Sequence, residues 1–122
     1  MLRDLLTFVA RKPRYPAIAN RAAEAWLERA DGRLAAELVD FSRQGAGFLS
    51  DEPADDDERV TIRVRDRESG LDLSLDGTVR WRHAEPDGTW RLGCEFTQPV
   101  SLETLGELFL HRILDSKPAP RS

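Results

Sequence analysis

The sequence predicts a mainly β fold, a small antiparallel β-barrel with one C-terminal α-helix packed on it. Val60, Ile62 and Val64 alternate with Thr61, Arg63 and Arg65, and Leu71, Leu73 and Leu75 alternate with Asp72, Ser74 and Asp76. A period of two marks half-buried strands, because successive side chains point to opposite faces of a sheet. Asp31-Gly32 stands between two apolar-bearing runs, a strong short-range hairpin signal. Leu105, Leu108, Phe109 and Ile113 then recur at helical spacing. Many short strands closed by one helix fit a barrel rather than alternating β and α units.

The elements follow in chain order. Leu2, Leu5, Leu6 and Val9 fall at helical spacing and predict a short amphipathic opening helix. Pro13 and Pro16 then force an extended, exposed path, in which Arg11, Lys12 and Arg14 make the densest basic spot of the chain. Residues 20–39 carry the Ala, Glu, Leu and Arg content of a helix. Their Asp-Gly pair argues for two strands instead, and two strands is the reading adopted. Val39 to Leu49 reads as strand, tight turn, strand. Residues 51–58 hold six acids and one proline, a solvated loop. Gly77 is expected to mark a bulge ahead of Val79-Arg80-Trp81-Arg82. Glu85-Pro86-Asp87-Gly88 is a turn, and Thr89 to Thr97 a further strand. Ser101 is placed to N-cap a helix over 101–114. The barrel is thus expected from about residue 20 to 97, within a single domain over 1–116, with 117–122 as a flexible tail.

The 122 residues suit one domain, and 40% hydrophobic with 33% charged content is ordinary for a soluble globular chain. The net charge of −4 argues against general nucleic-acid binding, which needs a basic surface to displace counterions. A small anionic ligand held by a local basic cluster is compatible with it. The one cysteine, Cys94, cannot form a disulfide within the chain, so a reducing cytoplasm is the expected location. The N-terminal apolar stretch is too short to span a membrane and lacks the pattern of a signal peptide.

Two segments could carry chemistry. One is the Arg11/Arg14 cluster and the other is Asp40-x-Ser42-x-x-Gly45. Arginine's planar fork meets phosphate oxygens or a guanine edge and stacks on flat rings. Asp40 and Ser42 can donate to or accept from a guanine edge, and Gly45 permits a sharp turn, expected with positive φ, beside a ligand. In this order and separation the segments resemble the PilZ family, which pairs an Arg-x-x-x-Arg stretch with an (Asp/Asn)-x-Ser-x-x-Gly turn. Arg14-Tyr15-Pro16 follows that pattern. The first arginine is degenerate: Ala10 stands four places before Arg14, and Arg11 lies one step along. Thr78-Val79-Arg80-Trp81, Leu92-Gly93-Cys94-Glu95-Phe96 and the last helix also look like that domain, so the resemblance covers nearly the whole chain.

The resemblance implies a six-stranded barrel with a C-terminal helix. It implies a cyclic di-GMP receptor, not an enzyme, with Arg11, Arg14, Asp40, Ser42 and Gly45 as ligand-binding residues and no cofactor or metal. The expected partners are cyclic di-GMP and an effector protein, with outputs such as motility, biofilm or exopolysaccharide control. No nucleic acid and no membrane insertion is expected, and a homodimer is left open. The second reading is an interaction protein that keeps the barrel without nucleotide, as in pilus-assembly members of the family. Ala10 favours this reading and the intact Asp40-x-Ser42-x-x-Gly45 opposes it. Each residue also has a plainer role. The arginines would be solvated charges, Asp40 and Ser42 an Asx-type turn, Trp81 a half-buried barrel residue and Cys94 a small core residue. His83 and His111 make no metal spacing. A hydrolase built on Ser42 lacks the Gly-x-Ser-x-Gly elbow.

Overall fold

The computed structural model describes residues 13–19 and 22–118. The expected opening helix, Ala10, Arg11 and the end of the expected tail lie outside the described residues. The strands are β1 (Tyr15–Pro16), β2 (Ala23–Arg29), β3 (Gly32–Phe41), β4 (Gly45–Ser50), β5 (Arg59–Asp66), β6 (Asp72–Ala84) and β7 (Trp90–Phe96). The helix α1 spans Leu102–Leu110. Every pairing is antiparallel, in the order β1-β3-β2-β5-β6-β7-β4, and β3 pairs back onto β4. Strands β2 to β7 therefore close a six-stranded barrel, and β1 is a two-residue addition on β3.

Period-2 patterning explains what fills it. Val60, Ile62 and Val64 of β5 point inward and meet Leu27, Leu34, Phe41, Phe48, Val79 and Leu92, all nearly or fully buried. Within the span expected as two strands, residues 23–39 form a β-hairpin rather than a helix. Arg29 pairs with Gly32, so the loop is Ala30–Asp31, one residue earlier than the Asp-Gly pair suggests. Gly32 opens β3 at φ 145, a conformation that glycine adopts without a Cβ penalty.

The expected bulge at Gly77 is not there. Gly77 pairs regularly with Val60 and Phe96, and the irregularity falls between Val79 and Trp81. Gly77 answers a packing demand instead: a β-carbon there would stand 2.8 Å from the Glu95 carbonyl oxygen and 2.9 Å from Ile62 Cδ1. The two predicted runs at 71–75 and 79–82 join into the single strand β6.

Ser101 caps α1 as expected, its hydroxyl accepting from the Thr104 N–H at 3.0 Å. The helix stops short of residue 114. Arg112 turns left-handed at φ 59, its N–H donates to the Phe109 carbonyl, and the Ile113 N–H donates to that of Leu108. These two bonds are a Schellman ending. The reversal returns Ile113 and Leu114 to the core, where Leu114 bridges Ala17 and the Ile18 N–H donates to the Ile113 carbonyl. The segment that leads out of Arg14 is thereby clamped between β3 and the end of α1, with Tyr15 edge-on to Phe109 at 4.9 Å.

The acidic loop between β4 and β5 is mostly exposed, as expected, yet it is anchored. Ala54 is buried, Glu58 accepts both arms of Arg29 at 2.6 and 3.1 Å, and Arg82 donates to the Ala54 carbonyl.

Candidate functional site

Alternation along β7 sends Leu92, Cys94 and Phe96 inward and Arg91, Gly93 and Glu95 outward. Register then builds the outer face around them. Gly45, Gly47 and Leu49 of β4 lie opposite Glu95, Gly93 and Arg91. On the other side, Trp81 and His83 of β6 lie opposite Gly93 and Arg91. Because the β6 bulge inserts a residue, Arg80 and Trp81 both reach the outer face, as bulges commonly re-aim side chains. A second irregularity, between Leu38 and Asp40 of β3, pairs Asp40 with Gly47 while Phe41 stays in the core.

The result is a cleft of about 620 Å³ with a bare floor of Gly45, Gly47 and Gly93. That volume suits a small-molecule site, for which about 300–1,000 Å³ is usual. A wider cleft of about 1030 Å³ adjoins it, sharing Gln44, Arg80 and Glu95. The wider cleft lacks Arg14, Asp40, Trp81 and the glycine floor, so the smaller one is the candidate site.

Along one wall Arg14 grips Asp40 bidentately, Nη2 to Oδ1 at 2.7 Å and Nε to Oδ2 at 3.1 Å. This fork is strong in geometry and specific in orientation. Along the other wall stands Trp81. The sequence led one to expect it half-buried in the barrel, but it is exposed along the cleft. Its indole lies directly over Gly93, where any β-carbon would collide with the ring, and 47% of the residue stays exposed. Arg80 stands beside it, its Nε bonded to Glu95 at 2.8 Å and its Nη1 to Asp57 at 3.0 Å. These two carboxylates raise the Arg80 pKa above its ordinary value, keeping the cation firmly charged.

Of the sequence-predicted site residues, Arg14, Asp40, Ser42 and Gly45 all line this cleft. Ser42 differs in how it does so. It is 3% exposed, and its hydroxyl accepts from the N–H groups of Gln44 and Gly45, each at 3.2 Å. The hydroxyl holds the β3–β4 turn. Gly45 does not take the expected positive φ. It is required by close approach, since a β-carbon would strike the Cys94 carbonyl of β7. Cys94 itself is core, as expected, and burial pushes its thiol up to about 12. Among the described residues no group of His, Cys, Asp and Glu could hold a metal ion, and no helix is long and apolar enough to cross a membrane.

Sequence reasoning missed Gly47, Arg80, Gly93 and Arg91 as cleft residues. The two bulges that set their register have no signature in the sequence.

Comparison with known proteins bears on this geometry. No curated protein matches the sequence. Several solved structures resemble the fold, among them the following three. The Klebsiella (K. pneumonia) MrkH–c-di-GMP complex aligns with TM-score 0.63 at 18% identity, over 83% of this chain and 52% of that one. The PilZ domain of YcgR from Escherichia coli, solved with c-di-GMP, aligns with TM-score 0.60 at 22% identity, over 84% and 87%. The Bacillus subtilis inhibitor of motility, MotI/DgrA, aligns with TM-score 0.59 at 10% identity, over 82% and 48%. This chain thus spans about half the length of the first and third and most of the second. The family model described as PilZ domain matches residues 11–114, and with six strands closed as the family implies, the chain belongs to the PilZ domain family.

Proposed function

We propose that this protein is a cyclic di-GMP receptor that acts in the cytoplasm without catalysing a reaction and relays second-messenger level to an effector protein. Motility, biofilm formation and exopolysaccharide synthesis are the outputs the family suggests. The observation that carries the reading is the Arg14–Asp40 fork facing Trp81 across a floor of glycines. A flat, side-chain-free floor admits a purine ring, and an indole offers it a stacking face. A carboxylate presented at the edge accepts from a guanine N–H, and arginine meets phosphate or O6/N7. The MrkH and YcgR structures, both solved with c-di-GMP, support the same ligand. Arg11 adds a second guanidinium near Arg14 in sequence. Gly45 serves the ligand by leaving the floor clear, and Ser42 by holding the turn that presents Asp40. With its hydroxyl committed to that turn, Ser42 is a poor nucleophile, which supports a binding rather than a hydrolytic role.

A second reading has an observation of its own. Arg14 and Asp40 satisfy each other and tie the β1 segment to β3, so the pair also serves as a structural clamp in an adaptor that binds no nucleotide. Calorimetric titration with cyclic di-GMP separates the two. Binding that Arg14→Ala and Asp40→Ala both weaken supports the receptor. No heat and no thermal shift at high micromolar ligand overturns it in favour of the adaptor.

A further inference from the structure

Arg91 differs from the other arginines of the cleft. Arg14 is committed to Asp40, and Arg80 to Glu95 and Asp57. Arg91 is partly buried, lines the same cleft, and its side chain makes no hydrogen bond, ion pair or ring contact among the described residues. Its five donors are unspent in a place where solvent reaches them only in part. Register puts Arg91 on the same face as Gly93, two residues away and so about 7 Å along the strand from the floor beneath Trp81. A ring stacked on Trp81 has its own sugar and phosphate within that region of the cleft. The groups that recognise a ring and its edge are thus present at one end, and the one uncommitted guanidinium described in the cleft is at the other. Arginine's planar fork matches two phosphate oxygens.

We propose that Arg91 is a phosphate-binding residue of this site, taking a phosphodiester of a cyclic dinucleotide whose base lies on Trp81. The inference rests on the receptor reading above and adds to it a contact that the Arg14 and Asp40 segments do not supply.

The test is calorimetric titration of the full chain with cyclic di-GMP, comparing wild type with Arg91→Ala, Arg91→Gln, Arg91→Lys and Arg59→Ala. Arg59 is an exposed arginine at the start of β5, outside this cleft, and controls for loss of one charge. Losing a charge-assisted contact should weaken binding by about tenfold or more for Arg91→Ala and Arg91→Gln. Arg91→Lys should fall between these and wild type, because it keeps the charge without the fork. Arg59→Ala should stay within about twofold, since an exposed charge in the adjoining cleft, outside this one, is screened by solvent. The glutamine variant keeps part of the aliphatic stem and a polar, uncharged end, so a loss shared by both variants is not explained by the packing left out in alanine alone. Wild-type affinity in both Arg91→Ala and Arg91→Gln, with Arg14→Ala still weakened, overturns this inference and leaves the receptor reading standing. An equal loss in Arg59→Ala also overturns it, by reducing the effect to general charge. No binding by the wild-type protein overturns both readings.

Discussion

A β-carbon at position 47 would lie 2.6 Å from Asp40 Oδ1, on the side where Arg14 Nη2 approaches. Gly47 therefore sets the position of the carboxylate as well as keeping the floor of the cleft bare. Gly47→Ala should push Asp40 off the Arg14 fork and weaken cyclic di-GMP binding by about tenfold, the size of a lost charge-assisted contact. Its circular dichroism should stay that of the wild type, and a variant that binds normally would show that the fork does not matter. Cys94 gives a second test at this scale. Burial holds its thiol protonated up to about 12. Thiolate is the reactive form, so Cys94 should resist a thiol reagent at neutral pH and react promptly in denaturant. Rapid labelling of the folded protein would contradict the buried placement. Arg14, Asp40, Ser42 and Gly45 were legible as candidates because each belongs to a short local pattern, Arg14-Tyr15-Pro16 or Asp40-x-Ser42-x-x-Gly45. Gly47, Gly93 and Arg91 were not, because their part depends on which residue faces which across three strands.

Where one element ends decides what the next can reach, and α1 ends on an arginine in a glycine's position. Arg112 sits at φ 59 with both Schellman bonds formed. Left-handed backbone costs a residue with a β-carbon about 1–2 kcal/mol, while glycine pays some of this back in unfolded-chain entropy. Arg112→Gly should therefore stabilise the protein by about 0.5–1 kcal/mol, a rise in melting temperature of about 3–5 °C. A lower melting temperature would mean that the Arg112 side chain contributes more than its backbone costs. The same element shows what sequence periodicity conveys. Leu105, Leu108 and Phe109 were correctly given to a helix, and so was the serine that caps it. Ile113 fits the helical stripe equally well, yet it lies past the helix end. Burial alone does not tell a helical residue from one that a reversed chain returns to the same core. In β6, likewise, alternation revealed a strand but could not tell a glycine that bulges from one that packs, because both look alike in sequence.

Taken whole, the barrel is wrapped in arginine–carboxylate pairs, and the most enclosed of them secures the acidic β4–β5 loop. Glu58 receives two bonds from Arg29, and its carboxylate has 18% of its side chain exposed. The Arg29 hydrogen bond lowers the Glu58 pKa below the ordinary 4.5, although burial pulls the other way. Asp66, at the end of β5, is lowered below 3.8, chiefly by the Ser69 hydroxyl. A carboxylate whose pKa is lower folded than unfolded binds fewer protons in the folded state. Its stabilisation is complete above the unfolded value and disappears as pH falls through the folded one. The melting temperature should thus hold steady from neutral pH down to about 5.5 and fall increasingly below about 4.5, where the unfolded chain takes up protons first. Glu58→Gln removes one of the titrating groups and leaves the others. At neutral pH it should melt lower than wild type, by about 1 kcal/mol of stability for a partly buried pair. As pH falls below 4.5 and through the lowered folded-state value of Glu58 the gap should narrow, because protonation of the wild-type carboxylate removes its advantage. Thermal melts of both proteins across that range decide the point. A constant gap between them at every pH would show that the contact matters through packing or neutral hydrogen bonds, and that the Arg29–Glu58 charge pair does not hold the loop to the barrel.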